Sequence, residues 1–247
     1  MSLKFLHLFP SQLGLNGETG NLDCLVQRLK WAGVDSKVQI FDGTGQVPND
    51  PDAVFIGSGT LAGAIEALEA LRPEAGNLVK LAESGVPFLA LGLGWEILGE
   101  SITLTDGKVL QGIAIFPSKS ARTTERASAE CFGFDISGNL TTGYANHSSE
   151  IELLQDARPL IELVAGFGNS SRIDAKRLSG EGAVLGNLMA ARLNGPLLAL
   201  NPHLADRFLQ IVTKRSAVSY QQSSEFAKAA DGFAAKAREE LKQRLAR

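Results

Sequence analysis

Phe88–Gly99 reads FLALGLGWEILG. The uncharged run FLAL has the look of a strand buried on both faces, Gly-Leu-Gly is a tight turn, and WEIL restarts at helical spacing. A strand, a sharp turn and a helix in that order form an elbow, where many α/β enzymes present a nucleophile. Its tip is Gly92-Leu93, and neither residue can attack a substrate. The stretch therefore argues for an α/β fold and against the chemistry that such elbows usually serve.

The chain on either side of the elbow keeps the same rhythm. Leu3–Phe9 reads as a first strand. GNLDCLVQRLKWA at 20–32 reads as an amphipathic helix with Leu22, Leu25, Val26 and Leu29 on one face and Gly33 as its stop signal. Val38–Phe41 and Ala53–Ile56 are short strands, Thr60–Ser84 is helical with a break at Pro73, and Pro87–Leu91 is a strand again. This alternation predicts a mostly parallel sheet flanked by crossover helices. Beyond Ile102 the apolar stretches shorten between TDGK, PSKS, DISGN and GFGNSS, which predicts antiparallel strands and loops to about Leu188, followed by a helix over His203–Lys214. The chain divides at 215. Residues 216–247 form an extension whose Ser223–Arg247 helix is interrupted at Gly232 and presents Phe226, Ala230, Phe233, Ala237 and Leu241 as a face expected to dock on the domain or on a partner.

Composition removes several classes of function. With 247 residues, 44% hydrophobic and a net charge of −3, the chain is expected to be a globular protein with no electrostatic case for nucleic acid. MSLKFLHLFP is too short and too soon broken by Pro10 for a signal peptide, no segment is long and apolar enough to span a membrane, and the cytoplasm is the default compartment. Two cysteines and three scattered histidines offer neither a disulfide framework nor metal-ligand spacing, so no metal or cofactor is expected.

Ligands of α/β proteins bind at the C-terminal ends of parallel strands. Three loops there are glycine-rich: GLNGETGN at 14–21, GSGTLAG at 57–63 and the elbow at 92–94. Together they point to one site.

At this level of detail the chain resembles a family. LGLNGETGNLDCLVQRLKWAG at 13–33, FIGSGT at 55–60, GLGWEILG at 92–99, TDGKVLQGI at 105–113, GYANH at 143–147, GFGN at 166–169, EGA at 181–183 and LNGPLLALNP at 193–202 occur in the order of motifs in class I glutamine amidotransferases of the cobyric acid synthase type. The likeness is to the glutaminase subunit of lipid II isoglutaminyl synthase and spans about residues 3–215. It implies a flavodoxin-like α/β fold in which an elbow cysteine attacks glutamine, a histidine moves the proton, and backbone N–H groups stabilise the oxyanion. It also implies a Mur-ligase-like partner that takes the ammonia in peptidoglycan synthesis.

The departures from this pattern fall on the chemistry. The nucleophile position is Gly92 and the base position is Asn194, so no catalytic residue is assigned. The oxyanion-loop positions for Asp and Gln hold Leu61 and Ala64, and the Glu of the family's Gly-Phe-Glu-Asn-His is Ala145. The remaining pocket and oxyanion positions implied by the resemblance are Gly57, Ser58, Gly59, Leu93, Arg126, Asn146 and His147. Arg126 matches the arginine that holds the glutamine carboxylate when a two-residue gap is allowed; without the gap that place is Thr124. No other residue replaces the missing pair: Cys24 reads as a helix hydrophobe, Cys131 and His7 as strand residues, His203 as a helix start, and His147, in a loop, as either a site residue or a solvated loop residue. The expectation is a catalytically inactive pseudo-glutaminase, with GETGN and NGPLL as partner-type motifs kept beside the lost chemistry. Two alternatives stand beside it: an active glutaminase with an unrecognised nucleophile, and a sensor that binds glutamine or another small molecule where Gly92 and Ala145 leave room.

Overall fold

The structure, a computed structural model, describes residues 2–170 and 179–246. Its first sheet is built from β1 (Leu3–Leu8), β2 (Ser36–Phe41), β3 (Ala53–Ile56) and β4 (Phe88–Leu91), all parallel. Every residue of β3 and β4 is buried, which is why AVFI and FLAL carry no polar residue. Helices α1 (Thr19–Trp31), α2 (Leu61–Leu71) and α3 (Ala75–Glu83) cross over between these strands. Between α2 and α3 the chain tightens into a short 3₁₀ turn at Arg72–Glu74, because Pro73 has no N–H to donate to an α-helical ladder. Helix α4 (Leu93–Leu98) follows the elbow.

Downstream lies a second sheet. Its strands are β5 (Ser101–Thr103), β6 (Val109–Gln111), β7 (Ser118–Asp135), β8 (Leu140–Leu153), β9 (Ile161–Ala165) and β10 (Ser179–Glu181), to which β13 (Leu193–Asn194) is added by pairing with β8. The pairing is antiparallel except between β5 and β7. The long β7–β8 hairpin turns at Asp135–Asn139, where the Asp135 carboxylate accepts from the backbone N–H groups of Ser137 and Asn139. PSKS, expected to separate strands, instead opens β7, because Ser118 and Ser120 turn inward and are buried. β11 (Ala183–Leu185) and β12 (Leu188–Ala191) return to the first sheet, and β12 lies parallel to β4. Ser171, the end of GFGNSS, lies outside the described residues.

Helices α5 (Leu197–Leu200), α6 (Pro202–Arg215) and α7 (Glu225–Leu245) complete the chain. α7 runs through Gly232 without a break; a glycine inside a helix costs about 1 kcal/mol, and the packed residues on either side of it offset that. The face that packs within the chain is not the phenylalanine stripe, so docking of that stripe on the domain is not what the structure has. Ala227 and Ala234 are buried, whereas Phe226 and Phe233 are 74% and 73% exposed. The docking is polar and specific. Arg28 of α1 donates Nε and Nη2 to Asp206 of α6 at 2.7 and 2.6 Å, and Nη1 to Asp231 of α7 at 2.7 Å. Arg238 Nη1 donates to the Leu200 carbonyl at 2.5 Å, and Arg244 pairs with Glu130 of β7.

Candidate functional site

The three glycine-rich loops meet at the C-terminal edge of the first sheet. Gly14 bridges Ser58, the Leu15 N–H donates to the Ser58 carbonyl at 3.0 Å, and the Gly94 N–H donates to the Gly57 carbonyl at 3.1 Å. A Cβ on Gly57 would run into the Leu13 carbonyl, and one on Gly94 into the Gly57 carbonyl, so backbone approach is what requires glycine at both positions. Asn21 of GETGN accepts from the Leu198 N–H at 2.9 Å, and Gly17 and Gly20 lie against Pro196. GETGN and NGPLL therefore pack on each other, and internal bonding accounts for both motifs. GFGN and EGA are likewise joined: Asn169 Nδ2 donates to the Gly182 carbonyl at 2.8 Å, and its Oδ1 accepts from the Gly182 N–H at 3.0 Å.

The elbow keeps its shape. Gly92 has φ 49° and ψ −121°, a conformation strained for any residue with a Cβ, and it caps α4. The space beside it is occupied. A Cβ on Gly92 would collide with the Ser58 hydroxyl and lie 2.7 Å from the Ser58 Cβ. The Leu93 N–H, which follows the tip, donates to Ser58 Oγ at 3.1 Å. The room expected at Gly92 is thus filled by a neighbouring side chain.

A small cavity of about 170 Å³ opens in front of the elbow. Its lining brings together Ser58, Gly59, Gly92, Leu93, Arg126, Asn146, His147 and Asn194, eight of the positions named from the sequence, together with Leu61. Gly57 lies behind this surface, its carbonyl holding Gly94. Arg126 faces the cavity and donates Nε to Asn146 Oδ1 at 2.6 Å, while Thr124 lines only the outer groove. Ala145 and Ala64 do not reach it. Strand alternation turns Ala145 into the core between Tyr144 and Asn146, and Ala64 is buried in the first turn of α2. Ala145 therefore leaves no room in the pocket.

His147 lies in strand β8, not in a loop, because the hairpin pairs it with Ala127. Arg192 Nη1 approaches its Nδ1 at 3.3 Å; a guanidinium only donates, so the imidazole is neutral and carries its proton on Nε2. Burial, with the Arg192 charge beside it, pushes His147 down to about 3. Such a ring is a poor proton acceptor near neutral pH. Neither cysteine lines the cavity; burial raises both thiols, Cys24 to about 11.

Three charged residues of the lining were not singled out from the sequence. Glu96 on α4, four residues after Gly92, accepts from Ser149 Oγ at 2.7 Å and from Arg122 Nη1 at 3.3 Å. Arg192 is fully buried: it donates to the Ser149 carbonyl at 2.6 Å and to the Gly168 carbonyl, and burial brings it down to about 10. Helical spacing from the elbow and the lone arginine in LMAARL were the available signals for Glu96 and Arg192. Arg122 had none, because β7 was not legible as one strand.

Among the described residues no group of His, Cys, Asp and Glu is placed to hold a metal, and no helix is long and apolar enough to cross a membrane. Comparison with solved structures supports the architecture. A glutamine amidotransferase crystal structure superposes with a TM-score of 0.54 at 14% identity, covering 84% of this chain and 98% of that one. PurLQS from Thermotoga maritima gives 0.52 at 14%, covering 87% and 99%. In sequence, the chain is 26% identical over 220 residues to the GatD subunit of lipid II isoglutaminyl synthase (glutamine-hydrolyzing) from Staphylococcus aureus strain N315, covering 89% of this chain and 88% of that protein. It is 23% identical over 222 residues to the same subunit from Streptococcus pneumoniae strain ATCC BAA-255 / R6, covering 86% and 81%. Residues 15–201 match the CobB/CobQ-like glutamine amidotransferase domain, and the chain belongs to that family.

Proposed function

We propose that this chain is a catalytically silent glutaminase-like subunit that associates with a Mur-ligase-like partner in the peptidoglycan pathway. The observation that carries the silence is Ser58. Its side chain fills the place a nucleophile on residue 92 would need, and its oxygen takes the Leu93 N–H that would otherwise be free for an oxyanion. Across the cavity Asn194 offers an amide, which binds no proton near neutrality, and His147 is held neutral by burial and Arg192. Support for a partner comes from the relatives, which are named as subunits of a synthase.

Ammonia release from glutamine tests the silence, measured on the purified chain and on the chain co-expressed with a Mur-ligase-like protein from the same organism. Release at the uncatalysed background in both preparations is the expected result, with co-purification of the two proteins. Turnover above background overturns the silence, and elution as a lone monomer overturns the partner. Reconstruction adds a positive arm. Gly92→Cys with Asn194→His should stay unreactive toward a glutamine-mimicking electrophile, and adding Ser58→Gly should permit labelling of the new thiol.

A further inference from the structure

The charges around the cavity do not cancel. Arg122, Arg126 and Arg192 line it, and among the described residues Glu96 is the one carboxylate in its lining. Glu96 Oε1 is already engaged by Arg122 and Ser149. Arg126 has only the neutral Asn146 oxygen as a hydrogen-bond acceptor among the described residues. Arg192, 2% exposed, spends its Nη groups on carbonyls, the Ser149 hydroxyl and His147, and its Nε has no acceptor among the described residues. The rest of the polar wall is neutral amide and hydroxyl, from Asn16, Ser148 and Asn194. The polarity changes outward. A second cavity of about 560 Å³ shares Arg122, Arg126 and His147 but adds Glu125 and Glu150. The inner chamber is therefore the cationic end of a continuous groove, and guanidinium groups match planar and tetrahedral oxyanions through paired N–H donors.

We propose that the inner cavity binds a compact oxyanion of net negative charge, either a phosphate or a short dicarboxylate, with Arg126 as the direct ligand and Arg122 and Arg192 behind it. This goes beyond the silent-subunit reading and stands whether or not a partner protein binds. Glutamine, whose charges sum to zero, leaves the excess positive charge uncompensated.

Calorimetric titration of the full chain with inorganic phosphate, succinate and glutamine, at constant ionic strength set with sodium chloride, tests the proposal. Saturable binding of phosphate or of succinate is expected, tighter than glutamine by about tenfold or more, since charge-assisted hydrogen bonds are roughly twice as strong as neutral ones. Phosphate alone identifies a tetrahedral ligand, and succinate alone a dicarboxylate. Arg126→Gln should weaken the anion about tenfold without changing the melting temperature of the free chain, whereas Glu125→Gln should keep the affinity. The proposal is overturned by absence of saturable binding for both anions, by glutamine binding as tightly as either, or by an Arg126→Gln variant with unchanged affinity. Ammonia release reads the silent-subunit proposal separately, so the two fail by different signals.

Discussion

The molecule buries two arginines in opposite ways. Arg28, in the seam where α1, α6 and α7 meet, is surrounded by acids. Burial works against its charge, but hydrogen bonds from Asp231 and Asp206 outweigh that and hold its pKa above the ordinary value. Among the described residues, Arg192, beside the elbow, hydrogen-bonds through its guanidinium to carbonyls, a hydroxyl and an imidazole, and burial pulls it down to about 10. Glu181, which accepts from the Arg192 backbone N–H, is raised to about 7 by burial, and Glu18 beneath the loops to about 8. One region is electrically complete and serves as a staple. The other holds its arginine through neutral acceptors, with carboxylates near it but none hydrogen-bonded to its guanidinium among the described residues.

The largest expected effect is at Arg192. Arg192→Leu strands the Ser149 and Gly168 carbonyls without their donor and removes the positive charge beside Glu181, and urea unfolding should register a loss of about 4 kcal/mol. Gly92→Ala comes next, at about 3 kcal/mol, from a strained backbone and the collision with Ser58. Adding Ser58→Gly should recover the collision's share and leave the strain, and strictly additive costs would refute the filled-seat geometry. Arg28→Ala should cost about 2 kcal/mol, because its acids are partly exposed and rehydrate. Amide exchange should then speed up in α7 before it does in α6; uniform loss of protection would mean that Arg28 is no staple.

Proton linkage sharpens the contrast further. Glu18 and Glu181 are raised from 4.5, so the folded chain keeps protons that the unfolded chain releases, and stability falls as pH climbs from about 4.5 towards 8. His7, His147 and His203 are lowered from 6.5 to about 4, 3 and 4 by burial, so stability also falls as pH drops below 6.5. Above 6.5 only the two acids titrate among these five groups. Thermal unfolding across pH should therefore peak near 6.5, and Glu18→Gln should flatten the alkaline limb. The smallest effect belongs to Phe226→Ser with Phe233→Ser, which should change stability by under about 0.5 kcal/mol, since both rings are exposed. A large loss would show that this face packs after all.

How much of this was legible from the residues depended on period and on partners. The uncharged runs AVFI and FLAL, with helices between them, identify the parallel sheet because full burial leaves a compositional trace. The long hairpin was read as fragments, because serines, arginines and glutamates alternate through β7 and its register shifts between Arg122 and Ala127. Of the two expected occupants of the α7 stripe, the domain is not one: its phenylalanines outrank alanine in hydropathy, yet the ion pairs of Asp231 and Arg244 and the carbonyl bond of Arg238 decide which face turns inward. At the site, the motifs lead to Gly92 and Asn194 as the expected nucleophile and base positions, and the structure places both in the lining of one cavity. That Ser58 fills the gap is a contact between residues 34 positions apart, and no local pattern encodes it.

The Ser58–Gly92 contact also constrains the history still open to this protein. A cysteine at residue 92 cannot be accepted while Ser58 keeps its place, and removing Ser58 alone frees the Leu93 N–H but supplies no nucleophile. Residues 58 and 92 compete for one volume, so any side chain gained at the elbow has to be matched by one lost from the neighbouring loop, and the two positions can change only as a pair.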